Sequence, residues 1–281
     1  MMKATRLLSA MLAFSCCASA AIAQDSVDVT FSYTNVTASA VNLVGEFEVW
    51  SNSNPAYVMT NNGAGLFTKT TRLRIGGNPS GGVPGAWQYK FFPAGTQGAW
   101  PNDPLNPHIN ANDNDNSYLY TKDPTFYHTL PNQLLPNLTT ATPTITSYIY
   151  PKVGSSVDTS SIRLLIDTTT ISGIGAFYDT TTKQLSYPLS KPLANGSHTM
   201  IISASSLAGG SNADTVSFHT QGGFVQITNP GGYTTRTSQR TIYGIVQSSS
   251  VTSISIVRNN IDTVSAPVTA GSFSADRKSV V

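Results

Sequence analysis

The chain has 281 residues, only 11% of them charged, with 16 Lys and Arg against 14 Asp and Glu. So even a balance offers no basic face to nucleic acid or to an anionic membrane, and neither is expected as a partner. Glutamate occurs only as Glu46 and Glu48, while Ser, Thr, Asn, Gly, Pro and Tyr are abundant, the profile of turn-rich extracellular β modules rather than of helical proteins.

The first predicted element is a leader. MMKATRLLSAMLAFSCCASAAIAQD carries Lys3 and Arg6, an apolar run from Leu7 to Ala21, and Ala21-Ile22-Ala23 before Gln24. This reads as a secretory signal peptide over 1–23, cleaved after Ala23, with an extracellular or periplasmic product. The apolar run is shorter than the roughly 20 residues that a bilayer requires, so no membrane span is expected. Cys16 and Cys17 both lie in the leader, leaving a mature chain without disulfides that must be held by burial and strand pairing. Ala13-Phe14-Ser15 is a poor lead-in to a lipid-modified Cys16, and lipoprotein anchoring there is not expected. Loss of Lys3 and Arg6 takes the 16 basic residues to 14, equal to the 14 acidic ones.

Beyond the leader, period-two runs recur and no helical periodicity is sustained. Val27–Tyr33, Ala40–Gly45, Leu66–Ile75, Ala86–Phe92 and Ser117–Thr121 predict the strands of a first domain over 24–129. Residues 130–142, with Pro131 and Pro136, predict a linker. Thr144–Tyr150, Ser161–Ile166, Leu185–Pro188, Ser197–Ala204 and Thr215–Thr220 predict a second, immunoglobulin-like sandwich over 143–222. A third unit opens at Phe224 with FVQITNP, TIYGIV and SISIVRN, and at 58 residues over 224–281 it is shorter than the roughly 100 that a sandwich takes. The fold class expected is therefore all-β: tandem immunoglobulin-like, early-set β-sandwiches, the last incomplete. One back-translation of Asp276–Val281 resembles a sequencing-library adaptor, so the natural frame is expected to continue past Ala275.

Trp50, Trp87 and Trp100 all fall in the first domain. In Ala86-Trp87-Gln88-Tyr89-Lys90-Phe91, alternation places Trp87, Tyr89 and Phe91 on one face, expected to be core, and Gln88 and Lys90 on the other. Trp50 follows a strand into a loop. Trp100 sits in GAWPNDPLNP, whose prolines and Asn/Asp residues fix a loop. There it either plugs the end of a sandwich or stands as an exposed platform.

Val41-Asn42-Leu43-Val44-Gly45-Glu46-Phe47 running to Trp50, Gln88-Tyr89-Lys90-Phe91, Trp100 followed by Asp103-Pro104, and Asn116-Ser117-Tyr118-Leu119 together resemble carbohydrate-binding module family 48. These are the glycogen- and starch-binding modules of the AMP-activated protein kinase β subunit and of amylase-type enzymes. The resemblance covers about 25–124. It implies an early-set sandwich that binds α-1,4-glucan, with Trp50 and Trp100 as stacking platforms, Lys90 as a donor to sugar hydroxyls and Asn116 as a bidentate partner. It also implies a downstream α-amylase-type catalytic domain as partner in the full-length chain. The sequence departs from the family in having Glu48-Val49 before the first tryptophan and an insertion, Gly76–Gly85, before the Lys90 strand.

An enzyme is not expected within these residues. Glycoside hydrolysis needs two carboxylates about 5–9.5 Å apart, and Glu46 and Glu48 share one short segment. Asp113, Asp115 and Ser117 suggest the start of a calcium loop, but Tyr118 takes the position of its glycine and no closing Glu follows. That loop is read as a turn, and no metal or cofactor is expected. His108, His128, His198 and His219 form no evident Ser/His/Asp set, and His198 is expected to face outward from a hairpin. The leading function is a non-catalytic α-glucan-binding front segment of a secreted amylase-type glycoside hydrolase. The alternatives are a stand-alone surface glycan-binding protein and an adhesion or spacer array without a working sugar site.

Overall fold

The structure, a computed structural model, describes residues 25–95, 100–135, 138–221, 225–227, 239–246, 251–258 and 262–278. The expected leader and residues 279–281 lie outside them. The first unit is built from β1 (Ser26–Thr34), β2 (Val41–Gly45), β3 (Thr60–Asn61), β4 (Leu66–Arg74), β5 (Ala86–Pro93), β6 (Ile109–Asn110) and β7 (Asn116–Tyr120). One sheet runs β1-β4-β3 and the facing one β2-β5-β7-β6, every pair antiparallel. Alternation along β1, β2 and β5 turns Val27, Val29, Phe31, Val41, Leu43, Tyr89 and Phe91 into one core. Trp87 packs against it and donates its indole N–H to Arg74 O at 3.0 Å, as its alternation predicts.

The second unit uses β8 (Thr125–Leu130), β9 (Thr144–Tyr150), β10 (Val157–Ile166), β11 (Thr169–Ile171), β12 (Tyr178–Asp179), β13 (Gln184–Pro188), β14 (Gly196–Ser206) and β15 (Ser211–Thr220). They form a sandwich of two sheets, β12-β13-β9-β8 and β11-β10-β14-β15. The third contains β16 (Val225–Ile227), β17 (Gln239–Val246), β18 (Ser253–Arg258), β19 (Asp262–Thr269) and β20 (Ser272–Lys278), as one sheet ordered β16-β17-β20-β19-β18. Among the described residues its core holds Val246, Ala266, Phe273 and Ala275 as buried members. The chain is thus all-β. Asp276, Arg277 and Lys278, part of the expected artefactual tail, pair with Thr241, Arg240 and Gln239.

Two expectations need revision. Residues 125–129, read with the first domain, belong to β8, which pairs with β9 in the second sandwich. The segment read as a linker is structural too: Leu138 accepts from Gln221 N–H at 2.8 Å, donates to His219 O at 3.0 Å, and packs on the second core. His198 also turns inward, because β14 buries His198, Met200, Ile202 and Ala204 on one face. Its ring nitrogens meet Asp167 Oδ2 at 2.8 Å, Ala194 O at 2.9 Å and Thr220 Oγ1 at 3.0 Å.

Because β8 is shared in this way, the first two sandwiches are joined through their interiors. Tyr127 and Tyr150, on strands of the second sheet, complete the core of the first unit. At the centre of the joint lies Asp103, 2% exposed. Its Oδ2 accepts from Tyr89 Oη at 2.7 Å and Tyr127 Oη at 2.9 Å, His128 Nε2 approaches within 2.7 Å, and Oδ1 accepts from Leu105 N–H at 3.0 Å. A carboxylate has no proton to give, so Nε2 carries the hydrogen of its bond to His128. Burial pushes the Asp103 carboxyl up, but His128, Tyr89 and the Leu105 N–H together hold it below the usual carboxylate range. The two phenols are pushed well above theirs, by burial first and then by the Asp103 charge.

Removing one member of a buried, hydrogen-bonded charge network costs about 3–5 kcal/mol. Asp103→Asn is therefore expected to lower the unfolding free energy from urea titration at pH 7 by that amount, whereas an unchanged value would show that the network is not formed. The depressed folded value fixes the sign of the pH effect. The carboxylate stabilises above its unfolded value of about 3.9, and this contribution is lost as pH falls through the lower folded value. The wild type should lose more stability than Asp103→Asn on acidification below pH 4. Trp87→Ala should separately cost roughly 3–5 kcal/mol as a core truncation.

Candidate functional site

The outer face of sheet β2-β5-β7-β6 gathers the residues singled out in the sequence. Side chains opposite in phase to Tyr89 and Phe91 point away from the core, which turns Gln88, Lys90 and Phe92 outward on β5. On β7, Ser117 and Leu119 face inward and Asn116, Tyr118 and Tyr120 outward. Lys90 and Asn116 consequently share a face.

The two tryptophans reach that face from loops. Phe91 donates its N–H to Pro101 O at 3.0 Å, so the chain leaving Trp100 runs beside β5 and continues to Asp103 in the joint. Trp100 lies 5.8 Å from Phe92, edge to face at 69°. The ring of Trp50 is 6.4 Å from that of Trp100, with the planes inclined by 25°. Both indoles are half-buried. Trp100 is therefore no end plug: it lies on the outside of the sheet, anchored through its neighbours.

Trp50 is placed by a strained reversal. After β2 the chain makes a short 3-10 turn, Glu46–Glu48, and then Val49 and Trp50 adopt left-handed φ values of 57° and 60°. Neither residue favours that region, Val least of all, and each such residue costs of order 1–3 kcal/mol. Gly45 holds the reversal from both sides, its N–H donating to Glu48 Oε1 at 3.1 Å and its C=O accepting from Trp50 N–H at 3.0 Å. A Cβ on Gly45 would stand 2.6 Å from Gln88 O and 2.8 Å from the Phe47 ring, an approach that only glycine allows.

The rest of the face is less open. Lys90 Nζ donates to Asn114 O at 2.6 Å, leaving its other protons for a ligand. Asn116 lies on the shared face but is only 6% exposed, so the structure brings it near the platforms under cover. Gln88 is tied into a polar network with Glu46 Oε1 at 2.9 Å, Asp113 Oδ2 at 3.1 Å and Asn110 Nδ2 at 2.9 Å. The Gly76–Gly85 insertion closes over this network. A Cβ on Gly81 would be 2.8 Å from Glu46 Oε1, and one on Gly82 would be 3.3 Å from Gln88 Nε2. The insertion thus lies over Gln88 at the middle of the face.

Phe92 went unmarked in the sequence, although its even register with Lys90 was a signal. A Ser/His/Asp arrangement also emerges that was not expected, Ser32 Oγ lying 3.5 Å from His128 Nδ1 with Asp103 on the other ring nitrogen. It is sealed, the His128 and Asp103 side chains being 3% and 0% exposed, and its carboxylate is already saturated with donors. Among the described residues no group of His, Cys, Asp or Glu is placed to hold a metal ion. No helix among them is long and apolar enough to cross a membrane. A groove of about 460 Å³ lies in the second sandwich between Asp167, Ile171, Tyr187, Leu189 and Lys191 and includes none of the four expected residues.

No family model matches the sequence, and no curated protein matches it. Among solved structures, dimeric latent PorU from Porphyromonas gingivalis is similar at a TM-score of 0.31 and 11% identity, over 91% of this chain and 26% of that one. The chain spans about a quarter of the length of that protein.

Gly45→Ala should open the reversal and separate the indoles. The expected result is loss of the exciton signature of the Trp50–Trp100 pair in circular dichroism, with a destabilisation of about 1–3 kcal/mol from overpacking. An unaltered spectrum would mean that Gly45 does not set the position of Trp50.

Proposed function

We propose that the outer face of the first sandwich binds α-1,4-glucan, as its resemblance to carbohydrate-binding module family 48 implies. On this reading the chain is the non-catalytic front segment of a secreted amylase-type glycoside hydrolase, with the catalytic domain as its covalent partner. The observation that carries the reading is the meeting of Trp50 and Trp100, rings 6.4 Å apart, from the loops that follow β2 and β5. Phe92 backs them, and the Lys90 ammonium lies on the same face.

The chemistry suits a pyranose, which offers a face of C–H groups to an indole and a rim of hydroxyls to amide and ammonium groups. A sugar covers part of one indole face, so each platform contributes about 1–2 kcal/mol at 25 cal/mol/Å². Two platforms and a few solvent-competed hydrogen bonds give a Kd on the order of 10⁻³–10⁻⁵ M. Asn116 requires a side-chain movement to take part, so Lys90 is assigned the larger polar role.

The test is native electrophoresis of the secreted chain in gels containing amylopectin, glycogen or hydroxyethyl cellulose. Retardation is expected in the first two alone, and it should be abolished by Trp100→Ala and Trp50→Ala, with thermal midpoints close to that of the wild type. Equal retardation in every gel, or none in any, would remove the α-glucan assignment.

A further inference from the structure

The loop that presents Trp50 is built on a buried carboxyl with an unmet requirement. Glu48 is 6% exposed, and while its Oε1 accepts the Gly45 N–H, its Oε2 is sealed from solvent and has no hydrogen-bond partner among the described residues. A buried carboxylate oxygen without a donor is costly, and protonation removes the charge that makes it so. At the next two residues, Val49 and Trp50, the backbone is in the left-handed region. Every departure of this loop from relaxed geometry therefore falls next to the side chain that should present the platform.

We propose that Glu48 is the positioning residue of the Trp50 platform, and that binding on this face is regulated by its protonation, the neutral carboxyl holding the loop closed and the carboxylate loosening it. This rests on the glucan reading for the ligand but not for the movement. The neutral acid keeps the Gly45 hydrogen bond through its carbonyl oxygen and no longer holds a charge away from water. Opening the loop returns the carboxylate to water, and with it Trp50 moves away from Trp100.

The surroundings agree. Burial pushes the Glu48 carboxyl up, against the weaker pull of the Gly45 N–H and then of the Ser51 N–H and the Asn54 side chain, neither of which reaches hydrogen-bonding geometry with Oε2. Tyr57, on the short turn Pro55–Tyr57, is the titratable group that senses the same charge, and its phenol is pushed up by burial and then by Glu48. It therefore stays neutral wherever Glu48 titrates. The sign follows from linkage: a carboxyl whose folded value exceeds its unfolded one binds its proton more tightly in the closed loop. Closure is favoured as pH falls from neutrality toward the ordinary glutamate range near 4.3 and weakens as pH rises through the folded value.

The experiment follows the Trp50 indole N–H by NMR in the full secreted chain without ligand, assigned with Trp50→Phe, between pH 5 and 8, and repeats the amylopectin measurement over the same range. The Trp50 signal should titrate with a midpoint above the ordinary glutamate value. In Glu48→Gln, a neutral isostere, it should be fixed at its acid-limit position. Amylopectin binding should be at least about threefold tighter at pH 5 than at pH 8 in the wild type. In Glu48→Gln it should be tight and flat. Circular dichroism of Glu48→Gln checks that the variant is folded. A Trp50 signal that does not move, or that moves identically in Glu48→Gln, overturns the proposal even if amylopectin binds. A Trp50 signal that titrates through Glu48 without any amylopectin binding sustains the switch and refutes the glucan reading alone.

Discussion

A carboxylate removed from water must be surrounded by donors, and the joint between the first two sandwiches is arranged to meet that requirement at Asp103. The donors come from separate parts of the chain: Tyr89 from the centre of β5, Tyr127 and His128 from β8, and the backbone of Leu105. The Asp103 N–H is itself taken by Ser117 Oγ at 2.9 Å, and Asn106 braces Tyr89 Oη at 2.9 Å. If β8 were displaced, the charge would lose the phenol and the imidazole together. That coupling joins two sandwiches that keep separate apolar cores, with Tyr127 and Tyr150 of the second completing the core of the first.

The same anchor explains the tryptophan in a segment unable to form regular structure. Trp100 precedes Asp103 by three residues, and Pro101 lies between them with its carbonyl bonded to Phe91 N–H. The segment from Trp100 to Asp103 ends on a satisfied buried charge, so the indole is anchored on the outside of the sheet without being buried itself. Trp50 is held on the opposite principle. Its loop ends on Glu48, whose second oxygen is sealed and unpaired, and its backbone is strained at Val49 and Trp50. One indole is anchored through a satisfied charge and the other is held against a cost, and on the proposed glucan reading the second sets the population able to engage both rings.

The strands that bury one face were legible from period-two alternation, and β1, β2, β4, β5, β7, β9 and β14 fall where Val, Ile, Phe and Leu alternate with polar residues. β8 was not legible, because it is buried on both faces and five of its six residues, Thr125, Phe126, Tyr127, His128 and Thr129, are enclosed. Alternation vanishes when nothing points to water, and a strand with Thr and His inside gives no apolar run either. Its polar side chains make sense only beside their partners, Asp103 for His128 and Ser147 for Thr129. The candidate site was legible in residue type and position on the face. The cover over Asn116 was not, since it depends on tertiary packing, and neither was the seal around Glu48, which depends on it too.

A site built from two partly exposed indoles is weak by construction, and weak sites gain from being attached to something that stays near the same polymer. The gain is larger when the attachment does not swing freely, because orientation then need not be found anew at each encounter. The Asp103 network ties the first sandwich to β8 of the second. The chain that carries Trp100 and the joint share Asp103, so the placement of this indole and the contact between the sandwiches depend on one buried carboxylate. In the proposed switch it is the Trp50 loop that moves, and that loop is outside the Asp103 network.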